Sequence, residues 1–270
     1  MSAKVEQSKG GVVLVTSDGP EHRYVAHRIA DAIDLRAILI CDPAPRRKWH
    51  KVLRRDPVGF VNKALWKLYL KILGDASDRH RALRAIFGMQ AEEFPDVPLL
   101  RVGRAKQGKL HSTVAEMSPN ILAVYGTSLI PDDVLALPRQ IALNMHTGIS
   151  PYYRGTSCAF WPIHNGEPEF VGATVHECTA ALDGGQIFAT RKAILRKKDG
   201  LHHVFGRAVT AGAEAYAEVI TAAQKQKLKG SAQDLSIGHE YRGSARGFIS
   251  EVRARWQVAR LQKQWTTPDT

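Results

Sequence analysis

GVVLVTSDGPEHRYVAHRIADAIDLRAILIC, residues 11–41, is the stretch whose reading decides the fold. Gly11 to Thr16 is a short apolar, β-branched run that ends in the turn residues Ser17-Asp18-Gly19-Pro20. Such a run bounded by turn chemistry reads as a strand. Glu21 to Ile33 then carries Val25, Ile29, Ala30 and Ile33 at helical spacing. Leu35 to Cys41 is a second apolar run, closed by Asp42-Pro43. Further along, Pro98–Val102, Ile121–Tyr125 and Gln140–Met145 are strand candidates, with helical stretches at Gln107–Met117 and Pro131–Leu137 between them. Strands alternating with helices imply an α/β fold with a mostly parallel sheet and helices on both faces.

One segment interrupts this rhythm. From about Pro45 to Glu93, apolar residues such as Trp49, Phe60, Leu65, Leu68 and Ile72 recur at helix-like intervals among many arginines and lysines. It reads as an inserted basic helical pair. The plain reading is a solvated amphipathic cover; the functional one is a face for anions or a membrane surface. Later, Ala173–Cys178 and Gln186–Leu195 look like paired strands, and Gly200–Lys227 a long helix despite Gly206 and Gly212. Ser236–Ser244 is turn-rich, and Gly247–Gln264 is a last basic helix.

With 270 residues, 44% of them hydrophobic, the chain is long enough to bury one large core. No apolar run reaches about 18 residues, so no transmembrane segment is expected. The N-terminal MSAKVEQSKG lacks the apolar stretch of a secretory signal. Cys41, Cys158 and Cys178 are sparse and lack metal-ligand spacing, which points to a reducing, cytoplasmic setting and to no bound metal. The net charge of +12 suits an anionic partner as well as simple solubility.

The chemistry concentrates between residues 144 and 187. Asn144 and His146 lie two apart at the end of an apolar strand, so both side chains share a face. The carboxyl ends of parallel strands are where open α/β sheets hold ligands. An amide donor beside an imidazole suits a developing oxyanion and the movement of a proton. Asp183 stands in the turn Leu182-Asp-Gly-Gly185; brought near His146, its carboxylate would raise the imidazole pKa and fix its orientation. A short Asn-x-His by itself is compatible with a purely structural role.

Five ordered blocks give these residues a context: Asn144-x-His146, Ser150-Pro-Tyr-Tyr-Arg-Gly155, Asn165-Gly166, Gly172-Ala-Thr-Val-His176 and Asp183-Gly-Gly185. Together they resemble the formyltransferase family, which includes methionyl-tRNA formyltransferases, glycinamide ribonucleotide transformylases and sugar N-formyltransferases. Weaker likeness runs over residues 11–43 and 98–225, leaving 45–93 outside. The resemblance implies a Rossmann-like catalytic domain over 1–230, with the helical insertion at about 45–93 and a C-terminal helical extension over 231–270 that is not a separate barrel. It implies 10-formyltetrahydrofolate as the donor and Asn144, His146 and Asp183 as the catalytic trio. It implies a folate site at Tyr125, Gly126, Ser128, Leu129, Ile130, Leu182, Gly184 and Ile187. Ser150, Tyr152, Tyr153, Arg154 and Trp161 are the candidates for the acceptor side.

The Gly148-Ile-Ser-Pro151 and Phe160-Trp-Pro162 variants look most like the sugar-nucleotide members. Those act on the amine of a nucleotide-linked aminosugar, such as GDP-perosamine or a dTDP-aminosugar, in surface polysaccharide (O-antigen) synthesis. The expected partners are then a reduced folate and a sugar nucleotide, with no nucleic acid and with a homodimer possible. Glycinamide ribonucleotide transformylation is the alternative within enzymes. A non-catalytic basic module for RNA or membranes is the alternative outside them. His176 reads as a structural strand-end residue, and the aromatic residues 152, 153, 160 and 161 as packing before stacking.

Overall fold

The computed structural model describes residues 10–43, 53–179 and 182–265. Strand β1 (Val12–Thr16), helix α1 (Pro20–Ala32) and strand β2 (Leu35–Cys41) follow the reading of residues 11–41 closely. Pro20 opens α1, where a missing N–H costs nothing and the fixed φ favours the helix. Next come α2 (Pro57–Ile72), α3 (Asp75–Phe87), β3 (Leu99–Gly103), α4 (Leu110–Met117), β4 (Ile121–Tyr125), α5 (Asp132–Leu135) and β5 (Ile141–His146). The chain continues through β6 (Tyr153–Gly155), α6 (Trp161–Asn165), β7 (Gly172–Glu177), β8 (Ile187–Lys192), α7 (Leu201–Gln224), β9 (His239–Tyr241) and α8 (Phe248–Leu261).

Seven strands form one sheet in the order β3-β2-β1-β4-β5-β7-β8. The first five run parallel, while β7 and β8 turn back as an antiparallel edge. Period-two alternation divides the core. Val12, Leu14, Ile121, Ala123, Leu143 and Met145 pack beneath α1, α3 and α7, whereas Val13, Val15, Leu122, Val124 and Ala142 pack beneath α4 and α5. Residues 144 and 146 continue the second set past the end of that core. The sheet is thus covered on both faces, in a Rossmann-like arrangement.

The basic segment divides in a way the sequence pattern did not reveal. Helix α3 packs onto α1 and α7 as part of the main core: Leu83 is fully buried, and Phe87 stacks on Tyr24 of α1 at 4.4 Å. Its exposed arginines at 81 and 84 made the helix look like an addition. Helix α2 contains no buried residue and leans on α8. Positions 45–52 of the expected insertion lie outside the described residues. The turn-rich stretch at 236–244 also differs from expectation. His239–Tyr241 is a strand, and it pairs in parallel with Tyr153–Gly155.

Candidate active site

Asn144 and His146 end β5 beside the end of β4, and the 182–185 turn brings Asp183 to them. Asp183 adopts φ 50°, a left-handed conformation that Asp tolerates better than most side chains. Its Oδ2 accepts the Gly155 N–H at 2.8 Å and lies 3.4 Å from His146 Nδ1. The imidazole is fixed from its other side, where Nε2–H donates to the Tyr153 carbonyl at 3.0 Å. That bond assigns the neutral tautomer, so Nδ1 is the atom free to take a proton, and the Asp183 carboxylate faces it.

Burial dominates the His146 titration and lowers its pKa below the usual histidine value, although Asp183 pulls upward. The sequence reading, which had the carboxylate raising this group, named the weaker of two opposed effects. For Asp183, burial acts to raise the pKa. The facing His146, the neighbouring His176 ring and the Gly155 N–H outweigh it and hold the carboxyl at about 2.

His176 is a fourth member of the cluster. It is buried, its Nδ1–H donates to the Glu177 carbonyl at 2.7 Å, and its Nε2 accepts from Asn144 Nδ2 at 3.1 Å. The same Nε2 stands 3.5 Å from Asp183 Oδ1. The β5–β7 register sets Asn144 directly opposite His176. One N–H of the Asn144 amide is therefore held by the ring, which orients the other N–H and the Oδ1. The signal for this role was the pairing of two strands, which a strand-end His cannot disclose by itself.

These side chains form one end of a cleft of about 550 Å³. Tyr125, Gly126, Ser128, Leu129, Ile130, Leu135 and Leu182 also line it, together with Thr147, Thr156 and Ser157. The wall therefore combines a run of exposed backbone with aliphatic side chains, the composition that suits a flat heteroaromatic ligand. Of the positions expected to hold folate, Gly184 and Ile187 do not line it: Ile187 is tied into β8 and bonded to Ser231.

None of the five acceptor candidates lines this cleft. Tyr153 and Trp161 are buried, and both stack on the Tyr241 ring, at 5.7 and 4.4 Å. Tyr153 also donates its hydroxyl to Glu167, and Trp161 Nε1–H donates to the Thr156 carbonyl. Ser150 is buried with its N–H on Thr174, Arg154 donates to the Pro151 and Leu235 carbonyls, and Tyr152 packs on Phe170. The Tyr153, Arg154 and Trp161 side chains are thus committed to packing and hydrogen bonds, while Tyr152 is partly exposed and the buried Ser150 hydroxyl has no hydrogen-bond partner among the described residues.

A second cavity, of about 360 Å³, adjoins the first and shares Thr147 and Ser157 with it. Trp66 and Leu70 of α2, Arg79 of α3, Phe160, His202, Phe205 and Arg246 line it. Arg79 pairs with Glu21 at 2.7 Å, and Arg246 pairs with Glu251 at 2.9 Å while lying 4.0 Å over the Phe160 ring. Sequence patterning did not bring these two arginines together, because Arg79 lies in α3 and Arg246 in the loop before α8. Among the described residues no group of His, Cys, Asp and Glu side chains is arranged to hold a metal ion.

A family model described as formyl transferase matches residues 74–220. The match takes in α3, which the sequence reading had assigned to the insertion, and leaves out α2. The methionyl-tRNA formyltransferase of Geobacter metallireducens is 27% identical over 145 residues, 53% of this chain. That match spans 46% of the relative's own length, less than half. A sugar N-formyltransferase from a Shewanella species superposes with a TM-score of 0.56 at 13% identity, over 92% of this chain and 87% of that one. An N-formyltransferase from Helicobacter canadensis, in complex with folinic acid and dTDP-3-aminofucose, gives 0.56 at 10% identity, over 96% and 84%. At such identities the two structures speak for the fold. With the family model matched over more than half of its length, the chain belongs to the formyl transferase family.

Proposed function

We propose that this chain is an N-formyltransferase acting in the cytoplasm, with 10-formyltetrahydrofolate as donor and the primary amine of a nucleotide-linked aminosugar as acceptor. The observation that carries the reading is the convergence of Asn144, His146 and Asp183 at one end of the cleft walled by residues 125–130. The aliphatic walls at Leu129, Ile130, Leu135 and Leu182, with the adjacent backbone, fit a pterin. The bound folate would supply the activated formyl group. The free edge of the Asn144 amide donates to oxygen as charge grows there. His146 takes a proton at Nδ1, and Asp183 compensates the charge so formed while holding the ring in place.

The acceptor class rests on the second cavity. Guanidinium groups at Arg79 and Arg246 beside the rings of Trp66, Phe160 and Phe205 suit a phosphate and a base or sugar together. Its junction with the donor cleft at Thr147 and Ser157 would let an amine reach the formyl carbon. The Helicobacter canadensis neighbour is described with an aminosugar nucleotide, and that class is carried over here as part of the proposal, with surface polysaccharide (O-antigen) synthesis as its setting. The three free cysteines fit the reducing compartment assigned to the reaction.

The test is formylation of a panel of amines: nucleotide aminosugars, glycinamide ribonucleotide and methionyl-tRNA. Product with an aminosugar nucleotide is the expected result; product only with one of the other two would replace the acceptor. Asn144→Ala, His146→Asn and Asp183→Asn should each lower kcat by on the order of 10²-fold or more while the chain stays folded. Turnover close to wild type in all three would remove the site assignment.

A further inference from the structure

Helix α2 carries Val58, Val61, Leu65, Leu68 and Ile72 at alternating steps of three and four residues. That spacing lays the five side chains in one narrow stripe. All five are exposed, from 47% at Leu65 to 78% at Val58. Scattered exposed aliphatics are ordinary on a protein surface, but a continuous row along a helix is not. The helix is nonetheless anchored from its other side. Asn62 Oδ1 accepts the Phe248 N–H at 2.9 Å, Trp66 Nε1–H donates to Glu251 at 3.2 Å, and Tyr69 meets the Phe248 ring edge-on at 5.3 Å. These contacts fix the stripe facing outward.

Charge identifies what covers it. Between Leu53 and Leu73 there are five cations, at Arg54, Arg55, Lys63, Lys67 and Lys71, and a single acid, Asp56. Lys67 and Lys71 are exposed one turn apart alongside the stripe. Helix α8, against which α2 leans, repeats the pattern: Ile249, Val252 and Trp256 are exposed at steps of three and four, with Arg253 and Arg260 exposed nearby. The Arg260 guanidinium lies 5.3 Å over the Trp256 ring. Aliphatic rows edged by cations match the interface of an anionic bilayer, where the apolar chains enter and the cations meet the headgroups. A symmetric second copy would instead bring lysine against lysine, and the segment's single acid, Asp56, is held at the helix start, where it caps the Gly59 N–H. Helix α2 has 16 residues and carries Lys63, Lys67 and Lys71, so it would lie along a bilayer surface rather than cross it. The region matched by the family model begins at residue 74, beyond α2.

We propose that the exposed face of α2, together with the stripe on α8, docks this protein on the surface of an anionic phospholipid membrane. The inference is independent of the formyl-transfer reading. Cosedimentation of the full chain with vesicles tests it, using phosphatidylcholine alone and phosphatidylcholine mixed with phosphatidylglycerol. Binding to the mixed vesicles and little to the neutral ones is expected. Leu65→Glu with Leu68→Glu should weaken binding about tenfold or more by removing apolar contact. Lys67→Glu with Lys71→Glu should do so to a similar degree by removing charge attraction. Neither pair lines the donor cleft, so formyl transfer in solution should be unchanged. Three results would overturn the proposal: no binding to either vesicle, binding that survives the Leu65 and Leu68 changes, or a dimer of the wild-type chain that these changes split.

Discussion

Asp183 and His146 form a pair in which burial and charge oppose each other, and the balance sets a pH dependence. The folded-state pKa of Asp183 is depressed to about 2. Its contribution to stability is therefore complete above its unfolded value of about 3.9 and is lost as pH falls toward the folded one. His146 is also depressed, by burial above all. Below about 6.5 the unfolded chain takes up a proton more readily than the folded chain, so stability declines with falling pH there as well. For activity, the neutral ring is the form that accepts a proton, so the acid limb of kcat/KM should lie below pH 6.5. Asp183→Asn removes the larger of the two influences that raise the His146 pKa, the other being the Tyr153 carbonyl, and the acid limb should move lower still. A pH–rate profile of the two proteins checks this, and a limb that moves upward in the variant would refute the pairing. His176 explains why part of the site stayed illegible in the sequence. Its contact with Asn144 depends on the register between β5 and β7, and no spacing along the chain encodes that register.

At the scale of elements, helix α7 shows what the two interior glycines are for. A β-carbon on Gly212 would stand 2.7 Å from the Ala173 β-carbon and 2.9 Å from the Met145 sulfur. The helix packs directly onto β5 and β7 at that point, close to the strand that ends in His146. Gly212→Ala gains about 1 kcal/mol of helix propensity, but Ala173 is rooted in the sheet and cannot move aside. A net loss of about 1–3 kcal/mol is expected from a urea melt, and a gain would mean that the approach is looser than the distances say. At Gly206 the nearest atom is the tip of the flexible Ile86 side chain, at 2.6 Å, so alanine there should be milder. The main strands were legible because each is a short β-branched run between turn residues, as at Val12–Thr16. The β6–β9 pair was not, because three residues paired in parallel leave no alternation to read. Helix α3 was misjudged because its arginines at 79, 81 and 84 interleave with the Ala82, Leu83 and Phe87 that it buries, which blurs the apolar stripe.

At the scale of the whole molecule, the segment after residue 230 closes the site from beneath. Gln233 Nε2–H groups donate to the carbonyls of Asp183 and Gly185, which fixes the turn that presents the carboxylate. Strand β9 lies along Tyr153–Gly155, whose Tyr153 carbonyl holds the His146 ring and whose Gly155 N–H holds Asp183. Tyr241 joins these two supports. Its ring stacks on both Tyr153 and Trp161, and its hydroxyl accepts from Asn165 Nδ2 at 2.9 Å. Each aromatic pair contributes about 0.5–1.5 kcal/mol beyond the area it buries. Tyr241→Ala removes two such pairs and leaves a cavity, so a loss of about 3 kcal/mol is expected in thermal or urea unfolding. Because Tyr241 does not line either cavity, its effect on turnover must pass through the backbone at 153–155. Turnover should fall more than affinity for either substrate, since a small displacement of the Tyr153 carbonyl or the Gly155 N–H misaligns His146 and Asp183 together. Tyr241→Phe retains both stacks and loses only the hydroxyl, so it should restore most of the turnover. If the alanine variant melts and turns over like wild type, β9 is an ornament on the fold and the site stands without it.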